Sequence, residues 1–293
     1  MLIKENIPLL IFLVIQISPI KGLFNSASRI CCRKKKKKNS KIAPKVIITN
    51  PRRSDGFGAQ FQAIIAAAIY AELNKMDFLY TPFQSMEHNY NNDPDFLVKK
   101  ESFINFIGNF DTLYEKGIPE FPVVSDIDFK AFFDAHIIEC AYSKTLQKIK
   151  AVFKKNKNID NFFKNSAFNI AIHIRRPNTH DNRLEGADVP DAVFLKIINQ
   201  LQNIYAEKNI LFHIYSQGEV KDFKSFQNVP NIIFHLNETV EDTFLAMVLA
   251  NVLVTSPSSL SYTAALLSDG EIFYIPFWHQ PLPHWRSINV LFD

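Results

Sequence analysis

The residues of this chain that are best suited to chemistry are a histidine and two arginines, His173, Arg175 and Arg176. Mostly apolar residues at 168–174 lead into the arginines, which predicts a buried strand that ends there. A guanidinium stays charged and presents a planar fork of donors, so paired arginines suit the capture of phosphate oxygens. Open α/β sheets bind ligands at the carboxyl ends of their strands. The pattern therefore predicts an anion site; two solvated arginines beside a buried histidine are the structural alternative.

A loop between a predicted strand and a predicted helix holds the second candidate group. Gly56, Gly58 and Gln60 lie in this loop, 55–60. Glycine lets backbone amides approach a ligand closely, and the N-terminus of a helix favours anions. The third glycine of the dinucleotide fingerprint is absent. The loop is therefore a candidate wall of a ligand cleft, and a tight strand-to-helix turn explains it equally well.

Polar side chains also stand at two predicted helix starts. Ser258 and Ser259 belong to a hydroxyl-rich segment between a strand and a helix, where hydroxyls and free amides suit phosphate or sugar oxygens. Glu241 and Asp242 open another helix. Ordinary N-capping by serine, and acids that complement the helix dipole, are the structural alternatives. All of these groups fall at strand ends or helix starts, which indicates a common site.

The elements that position these groups alternate between strand and helix. A strand, a helix and a strand follow one another within residues 45–83. Residues 84–150 are less regular, with helical stretches predicted near 101–110 and 143–153. From residue 169 the alternation repeats regularly and closes with a strand at 271–275. Regular alternation predicts the α/β class with a parallel, doubly wound sheet. Two such systems in one chain predict two Rossmann-like domains that face a cleft.

Charge is divided unevenly along the 293 residues. Residues 1–43 hold 10 of the 33 Lys and Arg but one of the 29 Asp and Glu, so the remainder carries 23 basic and 28 acidic residues. A mildly acidic body does not offer a broad nucleic-acid-binding surface, so we expect no nucleic-acid partner. The three cysteines lack the spacing of a zinc site.

The N-terminal segment, 1–43, is the part of the sequence that indicates where the protein is located in the cell. Its apolar run, 7–20, has the length of a signal-peptide core and is short for a membrane span, and a basic run follows at 33–38. A cleaved signal, a signal-anchor and peripheral attachment stay open as interpretations. We expect a membrane-associated or secretory-pathway protein, with the cytoplasm as the alternative. Occupancy of the glycosylation sequon 237–239 would require a lumenal body.

The order of the motifs resembles the superfamily of α1,2-, α1,6- and protein O-fucosyltransferases, which use GDP-fucose. Residues 56–60 resemble its Gly-x-Gly-x-Gln element, residues 171–176 its His-x-Arg-Arg motif, and residues 255–261 its Ser-Ser-Phe-Ser region. The likeness spans most of residues 45–275 and is greatest for the α1,2 branch.

This resemblance implies a glycosyltransferase of the GT-B type, which transfers fucose with inversion and needs no metal and no cofactor besides the donor substrate. It implies an acceptor-side Rossmann-like domain over 44–155 and a donor-nucleotide domain over 156–293, preceded by the N-terminal segment and linker, 1–43. The expected partners are a sugar nucleotide and a glycan or protein acceptor.

The same resemblance assigns roles to individual residues. Arg175 is the expected catalytic residue, because it would bind the β-phosphate of GDP and stabilise charge that develops on the leaving diphosphate. His173 and Asp242, or Glu241 in place of Asp242, would contact the guanine or ribose side. Ser258 and Ser259 would hold phosphate oxygens, with Arg176 in support of Arg175. Gly56, Gly58 and Gln60 would form a loop of the cleft.

The chain departs from the α1,2 pattern directly after the arginines. The family continues with Gly-Asp, whereas Pro177 and Asn178 stand here. A neutral amide cannot replace a carboxylate as a base, so Asp181 and Glu185 in the same loop are the candidate compensating acids, and no base is assigned. Ala59 also replaces the usual Asn. A non-catalytic relative that binds a sugar nucleotide or a glycan is therefore the main alternative.

Two other enzyme classes are weaker alternatives. The Asp-x-Asp at 126–128 suits a metal-dependent transferase of the other major fold, but this short pattern is common by chance and suits a helix start. A methyltransferase would need an acidic residue at the end of the second strand, which residues 77–83 do not provide.

Overall fold

The computed structural model describes residues 47–112, 127–160, 162–176 and 188–288. The described residues belong to one compact unit, Pro44–Asp293. The predictions for the N-terminal segment, for Asn178 and for the candidate acids Asp181 and Glu185 therefore lie outside the described residues. Within the described ranges, no helix has both the length and the apolar character that a membrane crossing requires.

The N-terminal part is built around one buried helix. It consists of β1 (Ile47–Thr49), α1 (Phe57–Leu73), β2 (Asp77–Leu79), α2 (Phe96–Ile104), α3 (Phe129–Ala135), α4 (Ile137–Ala141) and α5 (Lys144–Lys154). The strands β1 and β2 pair in parallel, so β1, α1 and β2 form the predicted βαβ unit. Most side chains of α1 are buried. This explains why its sequence is apolar on nearly every side.

The C-terminal part contains a six-stranded sheet in which every pair is parallel. Its strands are β3 (Phe168–His173), β4 (Ile210–Ser216), β5 (Ile232–Leu236), β6 (Val252–Val254), β7 (Glu271–Tyr274) and β8 (Arg286–Ser287). The connections contain α6 (Asp191–Ile204), a 3-10 segment (Val220–Phe226), α7 (Val240–Leu249) and α8 (Ser259–Leu267). The strand order β5-β4-β3-β6-β7-β8 is that of a Rossmann fold.

These features confirm the predicted fold class, α/β with Rossmann-like parallel βα systems. In the N-terminal part the two paired strands of the βαβ unit form the sheet. The division at 155/156 stays a prediction, because both parts belong to the same compact unit.

Alternate residues of β3 separate the two faces of the larger sheet. Ile170 and Ile172 pack in one apolar cluster with α6, while Ala171 packs in the other with α1, α7 and α8. The second cluster joins the two parts of the molecule, since α1 of the N-terminal part lies in it beside α8. This packing brings the beginnings of α1 and α8 close to the carboxyl ends of β3 and β6.

Candidate functional site

A cleft of about 1530 Å³ lies at the carboxyl ends of the sheet strands and is lined by residues of both parts. Strand order reverses between β3 and β6, and open α/β sheets bind ligands at that switch point. The predicted site residues that line the cleft are Gly56, Gly58, His173, Arg175, Arg176, Glu241, Ser258 and Ser259. Gln60 and Asp242 do not line it.

Arg175 stands at the switch point itself. Its backbone N–H donates to Ser256 Oγ at 3.2 Å, and its Nη1 donates to the carbonyl of Pro257 at 3.4 Å. Ser256 follows β6, so these bonds fix the end of β3 to the loop after β6. Ser256 belongs to the hydroxyl-rich segment that the sequence pointed to, but no individual role was predicted for it.

His173 supports the same junction. Its Nδ1 shares a hydrogen bond of 3.0 Å with Ser256 Oγ. Burial, and then the nearby charge of Arg175, lower the pKa of His173 to about 4. The imidazole is therefore neutral at pH 7 and adds no charge to the site.

Arg176 contacts a different set of residues from Arg175. Its Nη2 donates to Asp191 Oδ1, and its guanidinium lies 5.1 Å from the centre of the Phe223 ring. The second oxygen of Asp191 accepts from the hydroxyl of Ser225. Arg176 thus ties the end of β3 to the start of α6 and to the 3-10 segment, and its support of Arg175 stays a prediction.

The glycine loop allows two helix beginnings to meet at the cleft. A Cβ on Gly58 would lie 2.5 Å from the backbone of Leu260, so a side chain at this position would force α1 away from α8. Thr263 Oγ1 donates to the Gly58 carbonyl at 2.9 Å across the same crossing. Because helix N-termini carry partial positive charge, the two ends give the cleft a region that favours anions.

Gln60 is hydrogen-bonded to the backbone on the side of this loop that does not line the cleft. Its Nε2 donates to the carbonyls of Asp55 and Ser85, at 2.6 and 2.9 Å, and the residue is buried. It therefore acts on the shape of the loop rather than on a ligand.

The serines after β6 differ in the contacts that they make. Ser258 is the N-cap of α8 and accepts from the Leu260 N–H at 3.2 Å. This is the ordinary N-capping that was given above as the alternative to ligand binding. Ser261 donates to the carbonyl of Ser256 at 3.2 Å. Ser259 lines the cleft at the first turn of α8.

The two acids of α7 are used differently. Asp242 accepts a hydrogen bond of 2.7 Å from the hydroxyl of Thr239, the N-cap of α7. Its carboxylate therefore serves the start of the helix. Glu241 lines the cleft and accepts from Lys100 Nζ at 2.5 Å, which connects α7 to α2. Contact of either acid with a nucleoside stays a prediction.

A polar pair in the lining of the cleft was missed by sequence reasoning. Gln62 Nε2 lies 3.0 Å from His279 Nδ1, and the His279 ring stacks on Tyr262 at 4.6 Å. Burial lowers the pKa of His279 to about 4. Trp278 beside it is 52% exposed in the cleft wall. The segment after β7, 275–280, is mostly apolar, so His279 gave no local signal beyond its own residue type.

Asp128, the described acid of the Asp-x-Asp pattern, caps α3 by accepting from the Ala131 N–H at 2.9 Å. Asp126 lies outside the described residues. Among the residues that are described, no three His, Cys, Asp or Glu side chains are grouped so that they could hold a metal ion.

Comparison with known proteins gives only distant structural similarity. No protein-family model and no curated protein matches the chain. The fucosyltransferase NodZ from Bradyrhizobium is 11% identical, with 80% of this chain and 96% of that chain covered and a TM-score of 0.43. The heptosyltransferase WaaC of E. coli with ADP is 9% identical, with 83% and 90% covered and a TM-score of 0.38. TM-scores below 0.5 give no argument for a shared activity.

Proposed function

We propose that this protein is a glycosyltransferase that binds GDP-fucose and transfers fucose, with inversion, to a hydroxyl group of a glycan or a protein. The observation that carries the proposal is the position of Arg175 at the switch point between β3 and β6. Its guanidinium belongs to a cleft wall that the first turns of α1 and α8 also form. The sequence resemblance supplies the identity of the donor.

The site suits a diphosphate leaving group. Breaking a sugar–phosphate bond builds negative charge on the diphosphate, and a guanidinium that is already held in place favours that charge. The bonds of Arg175 to Ser256 and Pro257 hold the residue before a ligand arrives. Helix N-termini stabilise the same charge without a metal ion.

Binding and turnover test the donor. The full-length chain is titrated with GDP, GDP-fucose, GDP-mannose and ADP by calorimetry, and GDP release from GDP-fucose is followed with EDTA present. We expect Arg175→Ala to weaken GDP binding about 100-fold, because a hydrogen-bonded charged partner is lost. Arg286→Ala removes the same charge from an exposed pair with Glu271 and is the matched control.

The outcomes separate the alternatives. Loss of GDP binding in Arg175→Ala but not in Arg286→Ala supports the donor site, and GDP release with an acceptor supports the transferase. Tight GDP binding without turnover on any acceptor favours the non-catalytic relative, as the replacement at Asn178 suggests. Binding of ADP in preference to GDP contradicts the donor. The α1,2 linkage stays a prediction, which product analysis tests.

Attachment to a membrane or passage through the secretory pathway, by way of residues 1–43, is part of the proposal. Membrane fractionation with and without this segment tests it. The sequon gives a second test, although the Asn237 side chain already bonds to the N–H and carbonyl of Gly218 at 3.1 and 2.8 Å. A glycan on Asn237 would compete with these bonds.

A further inference from the structure

Four polar side chains form a continuous row across β3, β4 and β5 and end at the cleft. Asn169 Oδ1 lies 2.9 Å from His213 Nε2, and His213 Nδ1 lies 2.9 Å from His235 Nε2. His235 Nδ1 lies 2.7 Å from Glu238 Oε1. Glu238 lines the cleft wall, where the sequence analysis selected no residue of this row.

The buried end of the row fixes the direction of its hydrogen bonds. Asn169 Nδ2 donates to the carbonyl of Ala167 at 3.0 Å and to Asn165 Oδ1 at 3.1 Å. Its Oδ1 must therefore face His213, and an amide oxygen only accepts. His213 Nε2 consequently carries a hydrogen. Burial, and then His235, lower the pKa of His213 to about 4, so at neutral pH its Nδ1 carries a lone pair.

His235 then lies between two acceptors. Its Nε2 must donate to the lone pair of His213 Nδ1, and its Nδ1 faces the Glu238 carboxylate. The Glu238 side chain is 36% exposed, and a carboxylate only accepts. Both nitrogens of His235 must therefore carry hydrogens, which is the imidazolium form.

The other groups around His235 are compatible with that charge. The Tyr215 ring stacks on it with centres 4.5 Å apart, and burial, followed by Glu238 and Asp242, raises the Tyr215 pKa far above neutral. Tyr215 therefore stays a neutral phenol whose face attracts a cation. The nearby Asp242 is already held by Thr239.

We propose that His235 is a doubly protonated positioning residue, which holds Glu238 in the cleft wall and makes ligand binding there weaken as the pH rises. When His235 loses a proton, two acceptors face each other at one end of its ring. Glu238 is the more exposed partner, so its carboxylate turns towards water and the cleft wall loses its order. The protonation state follows from the directions of the hydrogen bonds together with the neutral state of His213, whereas the effect on a nucleotide rests on the proposed function.

Nitrogen-15 spectra of the histidine rings in the full-length chain test the protonation state directly. At pH 6.5 we expect two protonated nitrogens in His235 and a single one, Nε2, in His213. The exposed His136 is an internal reference. A singly protonated His235 at pH 6.5 would overturn the proposal, whatever the protein binds.

The substitution Glu238→Gln tests the positioning role. Its side-chain amide can donate to His235 Nδ1, so every hydrogen bond of the row can form while His235 is neutral. The second ring proton of His235 is then no longer needed. In the wild type we expect GDP to bind about tenfold more weakly at pH 8 than at pH 6, the size of effect that one charge-assisted hydrogen bond gives. In Glu238→Gln the change should be less than about twofold, as the row then contains no charge to lose.

Glu219→Gln is the matched control, because Glu219 pairs with Lys221 in the exposed loop after β4 and is outside the row. It should keep the pH dependence of the wild type. An unchanged pH dependence in Glu238→Gln contradicts the positioning role. If GDP binds at no pH, the proposed function fails, and the nitrogen spectra still decide the state of His235.

Discussion

Gly58 and Leu260 lie so close that a Cβ on Gly58 would be 2.5 Å from the Leu260 backbone. The first belongs to α1 of the N-terminal part and the second to α8 of the C-terminal part. This contact joins the two parts at the floor of the cleft, and the hydrogen bond from Thr263 to the Gly58 carbonyl closes beside it. The geometry of the cleft therefore depends on the absence of a side chain at Gly58.

We expect Gly58→Ala to lower the free energy of unfolding by more than about 2 kcal/mol, because backbone atoms cannot move aside as a flexible side chain can. Urea unfolding measures it. Gly56→Ala is the control, since its Cβ would meet only the His88 ring, at 3.1 Å. Equal losses in the two variants would contradict the close crossing of the helices.

The pair Arg176 and Asp191 leads to a second expectation. Because the guanidinium is held by Asp191 and lies over Phe223, Arg176→Ala and Asp191→Asn should each cost about 1 kcal/mol of unfolding free energy. The double variant should cost less than the sum of the two single changes. Full additivity in a double-mutant cycle would show that the two side chains act independently.

The alternation of strand and helix predicted the C-terminal part well, because each strand there is a short apolar run between polar turns. The irregular region was predicted less well. Of the helices predicted near 101–110 and 143–153, the second is confirmed as α5. In place of the first, α2 spans Phe96–Ile104, and α3 and α4 were not predicted. The Tyr70 ring packs edge-to-face against the rings of Phe129 and Phe132, with centroids 5.4 and 4.7 Å apart, so long-range ring packing rather than local periodicity supports α3.

The residues of the candidate site were likewise predicted only in part. Residues at strand ends, such as Arg175 and Ser259, could be selected from sequence because topology alone brings strand ends together. Gln62 and His279 are 217 positions apart and meet only in the folded chain. The spacing of Thr239 and Asp242 indicates a capping box, and in the structure Thr239 is the N-cap of α7 and its hydroxyl donates to Asp242.

The ion pair between Lys100 and Glu241 should contribute more than the exposed pairs of the same surface. The Lys100 side chain is 6% exposed and that of Glu241 is 24% exposed, and the pair connects α2 with α7. We expect a coupling energy of about 1–2 kcal/mol from a cycle of Lys100→Met and Glu241→Gln. The exposed pair Lys221 and Glu219, whose side chains are 67% and 69% exposed, should give less than about 0.5 kcal/mol. Equal coupling in both cycles would contradict the expected effect of burial.

Acid should destabilise the protein before its carboxylates titrate, because of the buried histidines. His173 and His279 both have a pKa lowered to about 4, so in this range the unfolded chain binds protons that the folded chain does not. Their contribution to stability is present above pH 6.5 and is lost as the pH falls towards 4. Each histidine should lower the unfolding free energy by up to about 1.4 kcal/mol per pH unit in this window.

Urea unfolding of the wild type and of His279→Gln between pH 4.5 and 7.5 checks this expectation. The variant keeps a polar group beside Gln62 but has no proton to gain, so its stability should depend less on pH. The exposed His136 gives the control variant His136→Gln, which removes a histidine that the fold does not bury. If His279→Gln and the wild type lose stability in parallel as the pH falls, the imidazole of His279 is not held neutral by the fold.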